Sequence, residues 1–417
     1  MYVAAKAFHE VGYKSIFLID SNDMFPFSQP VWEDCSFTLN YSELSDRKWN
    51  QSKWDSISKN LNWFKPSFCF SPNNLSSQII KNKKLNLIER FLLKIYISNA
   101  TWRKYSLCSM PRADIWIVCG IDQTIIAFAS GKPYVIWPHG GDIRFASGYG
   151  FSYLNLFNKK IFSEIRRWLL KRAYRNALFI GSHDPKGLGA HVFKVKYKIS
   201  NLPLPLKNNF ENLERHKTKK RLKNTFKEYG IDLPDDKFFI FLPSRIDYFW
   251  KGTDQLILAI KKSSKFERIH FIFSGWGKDY SDAKNQLLGH PVTFLPFVMS
   301  KPILLDTFKN VDLVIDQFKL GTYGTSLIEA ISCGTPVMAN IEKEIFYSKN
   351  IEPPPVINVC NPTQINDVLK KIELGMYPIE EVRNNLKKWF LRNHDQNNVV
   401  PRIASNIISR MNNLEAD

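Results

Sequence analysis

Two short runs, Phe238-Phe-Ile-Phe-Leu-Pro243 and His270-Phe-Ile-Phe-Ser274, constrain the fold more than any other feature of the chain. A strand points successive side chains to opposite faces, so an unbroken apolar run needs cover on both sides. That demand is met by a parallel sheet sandwiched between helices. Similar runs recur at 14–20, 67–71, 115–120, 134–138, 177–181, 292–296, 313–317 and 336–339. Helix-like segments lie between them, at 85–105, 161–175, 253–263 and 303–309. Strands alternating with helices predict an α/β chain of doubly wound, Rossmann-like domains.

A chain of 417 residues is too long for one ordinary domain. The seam is expected at 201–216, where two prolines precede a polar, charged stretch and the strand–helix cadence starts afresh. This divides the chain into 1–205 and 206–395, with 396–417 expected to pack back on the first domain. Ligands of such sheets bind at the carboxyl ends of the strands, and in two-domain proteins they tend to lie in the cleft between domains.

The 58 basic and 39 acidic residues leave a net charge of +19, which favours polyanionic partners without choosing among them. None of the six cysteines forms a Cys-x-x-Cys pair or sits near a His at zinc-ligand spacing, so no metal is expected. They read as core residues in a reducing compartment. There is no leader-like opening and no apolar run of membrane-spanning length, which points to the cytoplasm. No nucleic-acid-binding motif appears.

Two segments carry chemistry. In Phe241-Leu-Pro-Ser-Arg245-Ile-Asp-Tyr-Phe-Trp-Lys251-Gly252, two cations follow a buried strand and precede a helix. There they can converge on a diphosphate and offset the charge that builds as a sugar–phosphate bond breaks, although paired cations beside a turn are common on a basic surface. In Gly321-Thr-Tyr-Gly324-Thr325-Ser326-Leu-Ile-Glu329-Ala-Ile-Ser-Cys-Gly334-Thr-Pro-Val337, a glycine-rich turn opens a helix. Its backbone N–H groups and positive helix end suit a phosphate at Gly324, Thr325 and Ser326. Glu329 lies one helical turn beyond Thr325, where a carboxylate can accept both hydroxyls of a ribose; the bland alternative is a solvent-facing Glu.

Taken in order, these segments resemble the donor-binding half of GT-B glycosyltransferases, family 4 retaining enzymes in particular. Arg245 and Lys251 have the family's Arg, five residues, Lys spacing. Phe273-Ser-Gly275-Trp-Gly277 matches its strand ending in Gly-x-Gly, and Val292-Thr-Phe-Leu-Pro-Phe297 its strand whose backbone meets the nucleobase. Glu329-Ala-Ile-Ser-Cys-Gly-Thr-Pro-Val337 matches the end of its Glu, seven residues, Glu signature. The resemblance implies two Rossmann-like domains facing across a cleft. It implies a UDP- or GDP-linked sugar donor and metal-independent, front-face transfer with retention. Gly275, Gly277, Phe297, Gly324, Thr325, Ser326 and Glu329 would bind the donor, and Arg245 and Lys251 the leaving diphosphate. One departure is plain: Gly321 stands where the family has its first Glu, which leaves the contacts to the donor sugar in question.

The first half matches less well. Trp137-Pro-His139-Gly-Gly-Asp142-Ile-Arg144 follows a strand, and His139 resembles the family's cleft-facing His beside the donor sugar. Arg144 is placed to meet an acceptor phosphate and Asp142 to orient the loop. The chain opens on what looks like the family's first helix, so its first strand and glycine-rich loop are expected to be missing. Residues 158–175 mix cations with Ile161, Ile165, Trp168 and Leu169 on one helical face. This suits a helix resting on the anionic inner face of the cell membrane, and equally an ordinary amphipathic helix packed on the sheet. By analogy the acceptor is a glycan or polyprenyl-linked glycan of surface polysaccharide assembly. Two other readings stay open: an inverting enzyme with His139 as base, and a catalytically silent nucleotide-sugar or glycan binder.

Overall fold

The computed structural model describes the chain except residues 20–24, 46–48, 72–81, 83, 139–156, 183–198, 211–214, 264–265 and 417. In chain order its strands begin with β1 (Phe17–Leu18), β2 (Thr38–Asn40) and β3 (Cys69–Phe70). Next come β4 (Trp116–Val118), β5 (Tyr134–Ile136), β6 (Ile180–Ser182) and β7 (Ile199–Asn201). The later strands are β8 (Phe238–Leu242), β9 (Ile269–Phe273), β10 (Val292–Phe294), β11 (Phe297–Met299), β12 (Leu313–Ile315), β13 (Val337–Ala339) and β14 (Ile357–Asn358). The chain forms two compact α/β units: 1–24 with 65–204 and 400–417, and 25–64 with 205–399.

The first unit is built on a parallel sheet in the order β4-β5-β6-β7 and a smaller parallel pair, β1-β3. Its core joins Leu93, Tyr96, Ile125, Phe128, Ile136, Leu169 and Tyr174 from sheet and helices. The expected helix at 85–105 is two helices, Leu87–Ser98 and Thr101–Ser109. The break falls at Ala100, whose φ of −151° and ψ of 130° are extended. In the long helix Phe157–Asn176, Leu169, Leu170, Ala173 and Tyr174 face the core, while Trp168 is 40% exposed. Two of its cations serve the unit's interior: Arg166 pairs with Asp122 and Arg172 with the buried Glu89. None of the described helices is long and apolar enough to cross a membrane.

The second unit carries a six-stranded, wholly parallel sheet in the order β10-β9-β8-β12-β13-β14. The apolar runs that opened the sequence reading are its centre, and every residue of β9 is buried. Burial extends to His270, 9% exposed, whose Nε2 lies 2.8 Å from Thr293 Oγ1. Burial, with Lys237 nearby, pulls that imidazole down to about 4.

One boundary differs from the expectation. Residues 25–64, read with the first domain, pack within the second unit. Strand β2 pairs antiparallel with β11, in the register Phe297↔Asn40 and Met299↔Thr38. The Phe37 N–H donates to Ser300 Oγ at 2.9 Å, and the Ser300 N–H returns a bond of the same length to the Phe37 carbonyl. Trp32, 3% exposed, meets Phe27 and Phe37 edge-on.

Candidate functional site

The carboxyl ends of β8, β9 and β12 are tied together by hydroxyls. Ser244 donates to the Asp316 carbonyl at 3.1 Å, and Ser274 donates to the Ser244 carbonyl at 3.0 Å. From this edge the chain turns through Arg245 to Lys251. Asp247, 5% exposed, organises the turn by accepting from the Phe249 and Trp250 N–H groups. Burial works to raise its carboxyl. The Trp250 N–H, then Lys278 and Arg245, outweigh burial and hold it below the usual carboxylate range. Arg245 Nε lies 3.3 Å from Asp247, and the Arg245 side chain remains 44% exposed.

Lys251 is anchored differently. Its Nζ lies 3.3 Å from Oδ1 of Asp316, a carboxylate with no exposure. The other oxygen of Asp316 accepts the Gly324 N–H at 3.3 Å. One buried carboxylate therefore fixes both the ammonium and the turn, and Lys251 Nζ is 3.7 Å from where a Cβ on Gly324 would stand. Gly324 is the N-cap of the helix Thr325–Ser332, and no side chain caps that end. Thr325 is exposed and Ser326 half-buried. An uncapped helix start has N–H groups in need of acceptors and carries partial positive charge. With an ammonium beside it, the arrangement suits an anion.

The loop before this turn is stitched by Gln317. Its Oε1 accepts from the Leu320 N–H at 2.6 Å, and its Nε2 donates to the Thr322 and Asn340 carbonyls. Gly321 has a φ of +68°, and a Cβ there would collide with the Glu342 carboxylate, whose Cγ would be 2.7 Å away. The Glu342 N–H also donates to the Gly321 carbonyl at 2.9 Å. A Glu at 321 would be strained chiefly by this left-handed backbone, since the exposed Glu342 side chain beside it can swing aside.

The remaining donor-side residues serve the fold as described. A Cβ on Gly275 would stand 2.5 Å from backbone atoms of Leu295 and Phe297, and the Gly275 N–H donates to the Phe297 carbonyl at 3.1 Å. Gly277, at φ +125°, presses against the backbone of Ile246. This Gly-x-Gly step therefore seats three backbone segments on one another. Phe297, 5% exposed, is paired in β11 with β2. Glu329 departs furthest from expectation. It is 3% exposed, and its Oε1 lies 2.6 Å from Lys301 Nζ. Burial pushes the Glu329 carboxyl up, while Lys301 pulls the other way. Burial lowers the Lys301 ammonium, but Glu329 and then Glu33 carry it above its ordinary value. So Glu329 is the partner of a buried cation and is not solvent-facing; one of its oxygens is held by Lys301.

The structure thus brings Lys251, Gly324 and the start of the helix together and places Arg245 on the adjoining turn. His139, Asp142 and Arg144 lie outside the described residues. Sequence reasoning missed Asp247, Asp316, Gln317 and Lys301. Asp316 left a signal, a single acid closing the apolar run Leu-Val-Ile-Asp316; Lys301 left none. Among the described residues, no three His, Cys, Asp or Glu side chains gather as a metal site.

Comparison with known proteins defines the class. Residues 223–346, which hold Arg245, Lys251, Gly324 and Glu329, match the family described as Glycosyl transferases group 1. The second unit therefore carries a glycosyltransferase domain of group 1 type, and the chain has the GT-B fold. An uncharacterised glycosyltransferase of Methanocaldococcus jannaschii is 30% identical over 115 residues, 27% of this chain and 29% of that protein. The chain thus matches less than a third of that curated relative's length. Among solved structures, Anabaena HepE in complex with UDP and glucose superposes with a TM-score of 0.55, at 14% identity over 86% of this chain and 89% of that one. Sucrose-phosphate synthase from Thermosynechococcus elongatus gives 0.53, at 12% identity over 81% and 87%.

Proposed function

We propose that the whole chain transfers a sugar from a nucleoside-diphosphate sugar to a glycan or polyprenyl-linked glycan, with retention and without a metal. The observation that carries this is the bridging of Lys251 and the Gly324 N–H by one buried carboxylate, Asp316, at an uncapped helix start. A leaving diphosphate needs fixed positive groups that require no rearrangement as charge develops, and Asp316 holds both of these in place. Arg245 adds a half-exposed guanidinium from the neighbouring turn. One relative by fold, Anabaena HepE, was solved with UDP, with UDP and glucose, and with UDP-glucose, which supports a uridine donor. The pathway on this reading is surface polysaccharide assembly. The chain would work in the cytoplasm, peripheral on the anionic inner face of the membrane.

Thermal stabilisation by a panel of UDP-, GDP- and ADP-sugars, followed by product analysis, tests the reading. The wild type should be stabilised by one nucleotide class and release its diphosphate when acceptor is supplied. Arg245→Met should lower turnover at least about tenfold, the weight of one charge-assisted contact. No stabilisation by any nucleotide sugar would refute the donor site. A second reading, a silent nucleotide-sugar binder, is favoured by Gly321, which supplies no carboxylate at that position. It predicts stabilisation without turnover, and NMR of any product would separate retention from inversion.

A further inference from the structure

The helix Leu87–Ser98 has two apolar faces, and the fold uses one. It is firmly mounted. Asn86 Oδ1 accepts the Glu89 N–H at 2.8 Å and Glu89 Oε2 accepts the Asn86 N–H at 3.0 Å, a reciprocal cap that fixes its first turn. Leu93, Tyr96 and Ile97 are buried in the first unit's core, and Glu89, 1% exposed, is paired with Arg172 at 2.5 Å. Opposite them Leu87 is 85% exposed, Ile88 66%, Phe91 63% and Ile95 41%. At 100° per residue these four fall within an arc of about 100°, one continuous stripe. Soluble proteins commonly scatter single exposed apolar side chains, but an ordered stripe of four large ones marks a surface that meets something.

The charges beside the stripe say what it meets. Arg90 and Lys94 are exposed on the same helix, whose one acid, Glu89, is buried and paired. Arg90 is held along the helix start by the Leu85 and Asn82 carbonyls. Large aliphatic and aromatic side chains rimmed by cations are the chemistry of a helix lying in the interface of an anionic bilayer. A second copy of this chain would bring like charges together along the stripe, and a chain carrying +19 resists that.

We propose that the helix Leu87–Ser98 is the membrane-docking surface of this protein, its stripe Leu87, Ile88, Phe91 and Ile95 seated among the acyl chains and Arg90 and Lys94 at the headgroups. The proposal deepens the membrane reading given above by moving the contact to a different helix, and it is independent of the donor site. Each large side chain transferred from water into the interface is worth about tenfold in partitioning.

The test is sedimentation of the full chain with phosphatidylcholine vesicles, with and without anionic phosphatidylglycerol. Variants are the Leu87→Ser/Phe91→Ser double substitution and Arg167→Ala/Lys171→Ala. All four positions are solvent-exposed or half-exposed, so both variants should melt like the wild type. The wild type should pellet with anionic vesicles, and the Leu87/Phe91 variant should need at least tenfold more lipid. A wild type that stays in the supernatant overturns membrane binding altogether. Wild-type-like binding by the Leu87/Phe91 variant, with loss in the Arg167/Lys171 variant, overturns this surface and leaves the basic helix as the contact. A wild-type dimer in light scattering that the Leu87/Phe91 variant abolishes overturns the lipid as occupant in favour of a second copy.

Discussion

Replacing Lys301 by Met isolates the buried ion pair between Lys301 and Glu329. The Lys301 and Glu329 side chains are 16% and 4% exposed and meet at 2.6 Å, and Glu33 contributes a second negative field. Met keeps most of the aliphatic stem, so packing changes little while the cation vanishes. Removing one partner of a buried pair costs about 3–5 kcal/mol, because the other charge is left uncompensated. The partial exposure of Lys301 favours the lower end, about 3 kcal/mol. At a urea slope of about 2 kcal/mol per molar, the midpoint should fall by about 1.5 M at pH 7.

The pH dependence supplies the sign. Without Lys301, burial raises the folded-state pKa of Glu329 further above its unfolded value. A group with a raised folded pKa gives up stability as pH rises through that value, so the penalty is present at pH 7 and shrinks as pH falls towards 5. The gap between wild type and Lys301→Met should therefore narrow on acidification, and Lys301→Met/Glu329→Gln should recover part of the loss at pH 7. A Lys301→Met midpoint within about 0.2 M of wild type, or a gap that does not change with pH, would refute the assignment of this pair as buried and ionised.

Three further outcomes can be checked. His270, ordinarily near 6.5, is held near 4 in the fold, so the unfolded chain binds a proton the folded chain refuses; stability should fall as pH drops from about 6.5 towards 4, and His270→Gln should flatten that slope in urea titrations. Gly277→Ala forces a Cβ into the Ile246 backbone at a φ of +125° and should lower the melting temperature by at least about 5 °C, whereas Gly289→Ala, with open space around it, should cost far less; equal effects would contradict the packing described. A fragment spanning 205–399 should be less soluble and melt lower alone than when expressed together with 25–64, since burying Trp32 and Leu39 contributes about 1.5–3 kcal/mol each and β11 otherwise keeps an unpaired edge; identical melting would refute the assignment of that segment to the second unit.

The second unit's sheet was legible because its signal is local. An apolar run buried on both faces can hardly be anything else, and residues 238–243 and 270–274 became Phe238–Leu242 and Ile269–Phe273. Lys251 at a strand end and the glycine turn at 324 were legible for the same reason: their meaning follows from position along one strand–turn–helix unit. What could not be read was pairing. Nothing near Glu329 announces Lys301, 28 residues earlier on another helix, so the pairing of a buried helical Glu could not be read from its own segment. The same holds for Gly321. Its neighbours suggest a missing functional group, whereas its φ of +68° is one that glycine adopts readily, with Glu342 lying alongside from the loop after the adjacent strand.

The segment 25–64 shows the limit most sharply. Its strand is three residues long, Thr38-Leu39-Asn40, with one buried side chain, too little for periodicity to register. Its partner is set by long-range geometry: Phe37 and Ser300 exchange bonds across 263 residues. No local pattern encodes such a match, because register comes from which faces are buried once both strands are in place. Yet the segment bears directly on the site. Phe27 packs edge-on against Trp276, the central residue of the Gly-x-Gly step, at a ring separation of 5.3 Å, and Glu33 adds its field to the Lys301–Glu329 pair. The strand that the family resemblance offers to a nucleobase has its backbone engaged by β2 and by Gly275. Under the proposed donor reading, a base would have to meet groups other than that strand's paired edge, and segment 25–64 packs within the second unit although the sequence match to group 1 glycosyltransferases includes none of it.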